Sequence, residues 1–336
     1  MIPKATANAN FHTVTDQDVF AVRREDPHFQ EYRRRWVEYP AGFTVGNFPI
    51  HLDIESTGVC NLRCPFCATT MKNWGPETPG YMKRELFQQI IDEGTREGLY
   101  SIKLSFRGEP TLHPQLPEMV AYAKERGILD VYFNTNATLL TETLVHRLMD
   151  AGLDRISISF EGTCKEDYEP QRVGADFEKV VENVRRLRRI RDERGLSIPQ
   201  IRIQSVMLPE LKNRFHEYVE FWRPSADEVS YLDMRREGPL DDHRGREAGW
   251  ACPFLWQRMT ILWDGTVLPC LMHGVSDFSL LSLGRVGERS LRELWQGAQA
   301  TRYRKLHQTG KAHTLEACDR CSYRAMEIEK LQEAAR

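Results

Sequence analysis

From residue 49 to residue 232, short runs of strand-like spacing alternate with longer runs of helical spacing. This alternation confines the chain to a parallel sheet wound by right-handed crossovers. The strand-like runs are 51–55, 102–106, 131–133, 155–160, 201–207 and 229–232. Helical patterns fall between them at 83–97, where Leu86, Ile90 and Ile91 share a face, and at 115–126, 142–151, 177–194 and 214–222. An α/β core with a parallel sheet is predicted, and periodicity alone leaves an open sheet and a closed barrel as alternatives. The pattern at 177–194 carries a basic run from Arg185 to Arg194 opposite Phe177, Val180, Val184 and Leu187. That run is expected to be a solvated outer face.

The two ends are organised differently. Residues 1–48 are polar and aromatic-rich, with a helical pattern around 27–39, and are expected to pack as a lead-in on the outside of the main domain. After residue 235 the alternation stops. A polar linker, 236–249, precedes two strand-like runs, 259–263 and 266–268, around Asp264 and Gly265, a pair suited to a hairpin turn. A helix over 291–307, a Cys-x-x-Cys turn and a polar helix complete the chain. The expected division is 1–48, 49–235 and 236–336.

The formal net charge of −2 argues against a broad electrostatic grip on nucleic acid. No run reaches membrane-spanning length and the N-terminus lacks the order of a secretion signal, so a cytoplasmic protein is expected. In such a reducing compartment, clustered cysteines hold metal or do redox chemistry. Of eight cysteines, seven fall into two spaced groups and Cys164 stands alone.

Cys60, Cys64 and Cys67 follow directly on the first strand, on the side where parallel folds place their chemistry. Thiolates favour iron–sulfur clusters or zinc. Three close cysteines can hold three irons of a [4Fe-4S] cube and leave the fourth open to a ligand. A structural zinc site wants a fourth ligand nearby, and only His51 precedes the loop. Spacing favours the cluster and leaves zinc open.

The Cys-x3-Cys-x2-Cys spacing, with Phe66 before its last cysteine, resembles the signature of the radical S-adenosylmethionine (SAM) superfamily. Further segments resemble that family's marks, in order and at successive strand ends. Gly108 and Glu109 resemble the pair that receives the SAM amino group, with Arg107 where the family usually has its first glycine. Asn134 and Asn136, then Ser157, Ser159 and Glu161, resemble segments that contact the ribose and the SAM carboxylate. Arg172 resembles the arginine that pairs with that carboxylate, and 204–207 lies where the family passes backbone along the adenine. Taken singly, Glu109 could cap a helix, Arg172 could lie on the surface, and the asparagines could make turns; their shared position at strand ends favours a site. The resemblance covers about 49–232 and implies an incomplete (β/α)6 barrel.

Cys252, Cys270, Cys318 and Cys321 place two thiols around the predicted hairpin and two on one turn after a helix. Four thiolates close a zinc site or fully ligate a [4Fe-4S] cluster. Gly265-x4-Cys270 and the late Cys-x2-Cys resemble the SPASM/twitch extension of radical SAM enzymes. No cysteine follows Cys321, which matches the one-cluster form of the twitch-domain dehydrogenases of aminocyclitol antibiotic biosynthesis. A small α+β domain is expected there.

The resemblance implies SAM, a SAM-binding and an auxiliary [4Fe-4S] cluster, and an electron donor such as flavodoxin or ferredoxin. It implies a 5′-deoxyadenosyl radical that takes hydrogen from a small polyhydroxylated substrate, a sugar or an aminocyclitol. An auxiliary cluster accepting the substrate's electron would complete oxidation of an alcohol to a ketone. Hydrogen donation by Cys164, beside the fourth strand, would give epimerisation instead, although a free cysteine is more often an inert buried group. Candidate proton acceptors are Glu161, Asp233 and His113. A peptide-modifying maturase is a further alternative, yet no segment of the size usual for leader-peptide recognition stands apart. A non-enzymatic zinc or iron–sulfur module is the alternative of another class, disfavoured by Gly108, Glu109 and the strand-end polar residues.

Overall fold

The computed structural model describes residues 11–15, 20–71, 79–234, 250–271 and 280–334. Their strands form one ten-stranded sheet. In chain order they are β1 (Phe11–Thr13), β2 (His51–Ile54), β3 (Ser101–Lys103), β4 (Asp130–Thr135), β5 (Arg155–Ser159), β6 (Gln200–Met207), β7 (Glu228–Asp233), β8 (Arg258–Ile261), β9 (Thr266–Leu268) and β10 (Gly284–Arg285). β2 to β7 run parallel in sequence order. β2 and β7 do not pair: β8 takes the free edge of β2 in parallel, and β1 takes that of β7 antiparallel. The result is an open, incomplete (β/α)6 barrel, extended on one side by the predicted hairpin, β8 and β9. Gly265 in its turn has φ +93°, a left-handed conformation that favours glycine.

Successive strand residues face opposite sides, and the two sides differ in kind. Leu52, Ile54, Ile102, Val131, Phe133, Ile156, Ile158 and Ile203 join one apolar core beneath the helices. The alternate set, which includes His51, Asp53, Lys103, Tyr132, Ser157 and Arg202, is mostly polar, with Val206 and Leu232 as apolar members at the ends of β6 and β7. Closed β/α barrels fill that space with branched apolar side chains; this one fills it with ion pairs. Asp53 meets Lys103 at 2.7 Å and Arg258 at 3.2 Å, Arg155 meets Asp130 at 2.6 Å, and Arg202 meets Glu228 at 3.2 Å. Burial alone would raise the Asp53 carboxyl, but Lys103 and Arg258 outweigh it and hold the group well below the usual range.

The helix Pro27–Ala41 starts at Asp26, whose carboxylate accepts from the His28 and Phe29 N–H groups, with Pro27 in the first turn. Tyr32 stacks on Tyr100 and Trp36 meets His51 edge-on, at centroid separations of 5.6 and 5.8 Å. This helix therefore covers the N-terminal ends of β2 and β3. β1, from the same lead-in, was not anticipated from its short sequence.

Two expectations are corrected. The pattern read as one helix over 291–307 is two, Leu291–Gln296 and Ala298–Gln308, broken at Gly297. A Cβ there would lie 2.8 Å from the Glu293 carbonyl oxygen. The basic face of the helix Phe177–Glu193 is not wholly solvated. Arg191 is 4% exposed and donates to Asp227 at 3.1 Å, and Arg186 donates to the Leu140 carbonyl at 2.7 Å. The linker 236–249 lies outside the described residues. No helix among the described residues is long and apolar enough to cross a membrane.

Candidate active site

Cys60, Cys64 and Cys67 lie on the loop that leaves the C-terminal end of β2, and none forms a disulfide. Gly108 fixes the height of that loop. A Cβ at this position would fall 2.3 Å from the Thr57 carbonyl oxygen and 2.6 Å from that of Val59. Only glycine allows this backbone-to-backbone approach, which the Glu109 N–H seals by donating to Val59 O at 2.8 Å. The Leu62 N–H points at Cys60 Sγ (3.5 Å) and Arg172 Nη1 at Cys64 Sγ (3.8 Å). Burial raises both thiols; the Leu62 N–H opposes this for Cys60 and the Arg172 guanidinium for Cys64. Such donors favour thiolate, the form that binds metal.

Glu109 is 3% exposed. Its Oε1 accepts from the Thr111 N–H (3.1 Å), the Thr111 hydroxyl (2.6 Å) and the Thr135 hydroxyl (2.6 Å), while among the described residues Oε2 accepts only the Asn136 N–H (2.7 Å). Burial pushes this carboxyl upward against those donors. A carboxylate oxygen offers about two lone pairs, so Oε2 keeps an acceptor position of the kind an ammonium uses. Glu109 also caps the short 3-10 turn Pro110–Leu112, so the capping role foreseen for it is real and does not exhaust it.

Asn136 ties this end of β4 to the cysteine loop. Its amide donates to Asn61 Oδ1 at 2.9 Å, its own oxygen accepts from the Thr138 N–H and hydroxyl, and Asn61 donates to Thr138 Oγ1 at 2.9 Å. Between them Ala137 holds φ +59°, left-handed for a residue with a Cβ, a form of strain that tends to sit at functional sites. Asn61, Thr111, Thr135 and Thr138 were not singled out from sequence. Asn61 and Thr135 lie inside motifs already recognised there, which was the available signal.

Ser157 is 5% exposed, and its hydroxyl has no hydrogen-bond partner among the described residues. It stands beside Asn134 in the β4–β5 register, and Ser159 stands beside Gln204 across β5 and β6. The Asn134 N–H donates to Ser105 Oγ at 3.0 Å. An orphan buried hydroxyl on the polar face is what a sugar hydroxyl would satisfy. Glu161, 1% exposed, takes both Nε and Nη2 of Arg172, the latter at 2.7 Å, and the guanidinium lies 5.3 Å from the Phe66 ring centroid. Arg172, its side chain 11% exposed, is therefore largely covered beside the cysteine loop. Arg107, the departure from the family's usual glycine, makes a bidentate pair with Glu55 (2.6 and 2.8 Å), which also accepts the Trp263 N–H at 3.2 Å. It joins the ends of β2 and β3 to the β8–β9 hairpin.

The other candidates are engaged differently. Asp233 ends β7, paired with His12 (3.1 Å) and Lys330 (3.0 Å). Burial opposes its ionisation, but Lys330 and His12 outweigh that and hold it below the usual carboxylate range. Cys164 is half-buried at the start of the turn Lys165–Tyr168, where burial raises its thiol. His113 accepts the Gln115 N–H on Nδ1 (3.1 Å) and donates from Nε2 to Met82 O (3.0 Å), so neither nitrogen is open to a substrate proton. Burial lowers its pKa. The unfolded chain therefore binds the proton first as pH falls, and stability from neutral His113 is present above its unfolded value, about 6.5, and declines below it. Urea midpoints between pH 5 and pH 8 are expected to fall on the acid side in the wild type and to depend less on pH in His113→Gln.

The second group of cysteines converges. Cys252, Cys270, Cys318 and Cys321 line one cavity with Trp250, Phe254, Tyr323 and His307. Burial, and then the neighbouring thiols, push Cys252 and Cys318 well above the usual thiol range. No disulfide joins them. Four cysteines lining one cavity walled by aromatic rings fit a metal cluster, which would hold all four as thiolates. His307 completes the wall: its Nδ1 accepts the Cys252 N–H at 3.1 Å, its Nε2 lies 3.5 Å from Cys318 Sγ, and burial pushes its pKa down to about 4. Sequence reading passed over it because a lone histidine on a helix has no spacing to betray it.

Family models match the chain in two stretches, the radical SAM superfamily over 54–221 and the iron–sulfur cluster-binding SPASM domain over 252–322. The chain is 26% identical over 320 residues to the tungsten-containing aldehyde ferredoxin oxidoreductase cofactor-modifying protein of Pyrococcus furiosus, covering 82% of this chain and 87% of that relative. It is 30% identical over 188 residues to the probable GTP 3′,8-cyclase of Sulfolobus acidocaldarius, spanning 56% of each. Among solved structures, BtrN in complex with AdoMet and 2-DOIA matches with a TM-score of 0.53 and 19% identity, over 82% of this chain and 94% of BtrN. Streptococcus suis SuiB bound to precursor peptide SuiA matches with a TM-score of 0.61 and 14% identity, over 91% of this chain and 76% of SuiB. At these identities the structural matches speak to the fold.

Proposed function

The chain belongs to the radical SAM superfamily and carries a SPASM-type domain, and from that premise we propose that it oxidises an alcohol of a small, hydroxyl-rich molecule to a ketone. Its cofactors are SAM and two [4Fe-4S] clusters, one binding SAM and one auxiliary. When bound, SAM on its cluster supplies a hydrogen-abstracting radical and the auxiliary cluster an electron sink. In this reading Cys60, Cys64 and Cys67 hold the first cluster. Glu109 Oε2 takes the SAM ammonium, and Asn134, Ser157 and Ser159 take ribose hydroxyls. Arg172 offers the carboxylate Nη1, the nitrogen not given to Glu161, one of whose two N–H groups points at Cys64 Sγ. Cys252, Cys270, Cys318 and Cys321 leave the auxiliary cluster no open iron, which suits electron transfer better than substrate binding. Of the candidate proton acceptors, Asp233 has a side chain 32% exposed and lies beside His12, so it is the group proposed to receive the alcohol proton and pass it outward.

The observation that carries the substrate class is the polar interior face of the barrel. A hydroxyl-rich molecule exchanges its bonds to water for bonds to polar groups of that face not given to SAM, such as Gln204, whereas apolar peptide side chains would gain little there. The Pyrococcus furiosus relative is named for modifying a cofactor, and BtrN is solved with 2-DOIA; both fit a small-molecule substrate. SuiB, solved with a precursor peptide, represents the competing class.

The test is anaerobic turnover of reconstituted protein in D2O with SAM, a reductant, and panels of sugars, aminocyclitols and peptides. A ketone formed in step with 5′-deoxyadenosine is the expected result. Inverted product carrying deuterium would replace oxidation by epimerisation, and turnover of peptides alone would replace the substrate class. Cys164→Ala is expected to leave ketone formation unchanged; its abolition would move the assignment to the epimerase.

A further inference from the structure

We propose that His307 is a positioning residue that donates an N–H···S hydrogen bond to Cys318 and thereby raises the reduction potential of the auxiliary cluster. The tautomer follows from geometry. The Cys252 backbone N–H can only donate, and it points at His307 Nδ1 from 3.1 Å, so Nδ1 is an acceptor and carries no proton. The ring proton is therefore on Nε2, which lies 3.5 Å from Cys318 Sγ. One imidazole spans two of the four cysteines: it accepts from the backbone of the first and donates to the sulfur of the third. The helix Ala298–Gln308 supplies it, and Trp250 packs against the ring at a centroid separation of 6.5 Å.

The consequence is electrostatic. Each added electron makes a four-thiolate cluster more negative, and the buried, aromatic surroundings oppose that charge. A donor aimed at a ligating sulfur draws charge from it and stabilises the reduced form, one of the levers that set iron–sulfur potentials. Arg324 holds the backbone of the same residue, donating from Nη1 to the Cys318 carbonyl oxygen at 3.3 Å. This inference rests, for its purpose though not its measurement, on the reading that the auxiliary cluster takes an electron from the substrate radical. A higher potential makes that transfer more favourable.

The test is an EPR-monitored redox titration of full-length Cys60/Cys64/Cys67→Ala protein, which keeps the auxiliary cysteines alone. It compares His307 with His307→Phe and His307→Gln. The expected result is unchanged iron content with a lower midpoint potential in His307→Phe, and recovery of most of the drop in His307→Gln, whose amide can still donate. An unchanged potential in a fully loaded His307→Phe overturns the proposal. Should that variant lose its cluster, pulsed electron–nuclear double resonance on 15N-histidine protein with His307 intact decides instead. An exchangeable proton and a 15N coupling to the reduced cluster are expected, and their absence overturns the proposal. No substrate is present in either measurement, so a failure of the alcohol-oxidation reading would leave both results standing.

Discussion

Replacing Cys60, Cys64 and Cys67 together by alanine is expected to abolish SAM cleavage and to halve the iron, from about eight irons per chain to about four, because each four-thiolate or three-thiolate cube carries about four. The effect should be confined to one cluster because the loop is positioned by groups other than its sulfurs. Gly108 seats it on backbone, and the Asn61–Thr138–Asn136 network anchors it from the side. The remaining iron should sit on Cys252, Cys270, Cys318 and Cys321 with its spectrum intact. Iron and sulfide analysis of anaerobically reconstituted protein reads this directly. About four irons in the wild type and none in the variant would leave the SAM site standing and remove the electron acceptor from the proposed reaction.

Arg172→Ala is expected to destabilise the protein by about 3–5 kcal/mol, the usual result of stranding one member of a buried ion pair. The stranded partner is Glu161, 1% exposed and held through two guanidinium nitrogens. The double replacement Arg172→Met with Glu161→Gln removes both charges and is expected to recover most of that loss in urea or thermal unfolding. It should not recover SAM binding, which is expected to fall about 10- to 100-fold for want of a charge-assisted bond to the carboxylate. The pair of variants thus separates what Arg172 does for the fold from what it does for the cofactor. Normal SAM affinity in the double variant would remove Arg172 from the binding site.

Much of this was legible beforehand, for identifiable reasons. Metal ligation demands particular side chains at particular separations, so Cys60, Cys64 and Cys67 could be proposed as ligands from spacing, as could the four later cysteines. Buried parallel strands need apolar residues on alternate positions, so β2 to β7 could be found by periodicity. What escaped notice depends on contacts between distant residues. Glu109 needs Thr135 and Asn136, 26 and 27 positions away, to fill its oxygens. Asp233 draws His12 from one end of the chain and Lys330 from the other, and the brief β1 strand that carries His12 is defined by its pairing with β7 rather than by any pattern of its own. The helix break at Gly297 was hidden because apolar spacing continues across it. Arg107 read as a blemish in a motif until Glu55 and the Trp263 N–H gave it a task.

The hairpin that introduces the second group of cysteines is not a neighbour of the barrel but a continuation of it. β8 pairs with β2 from His51↔Arg258 to Ile54↔Ile261, and it brings Arg258 to Asp53. The seam between the two matched families therefore runs along a hydrogen-bonded ladder. A core cut away from its C-terminal part would bare the edge of the very strand that leads into the first cysteine loop, an invitation to edge-to-edge aggregation. It would also leave Asp53 short of a cation and Glu55 short of a donor. In lineage terms the two parts are not beads that can be shuffled apart: a relative that dropped the second would have to rebuild the edge of the first.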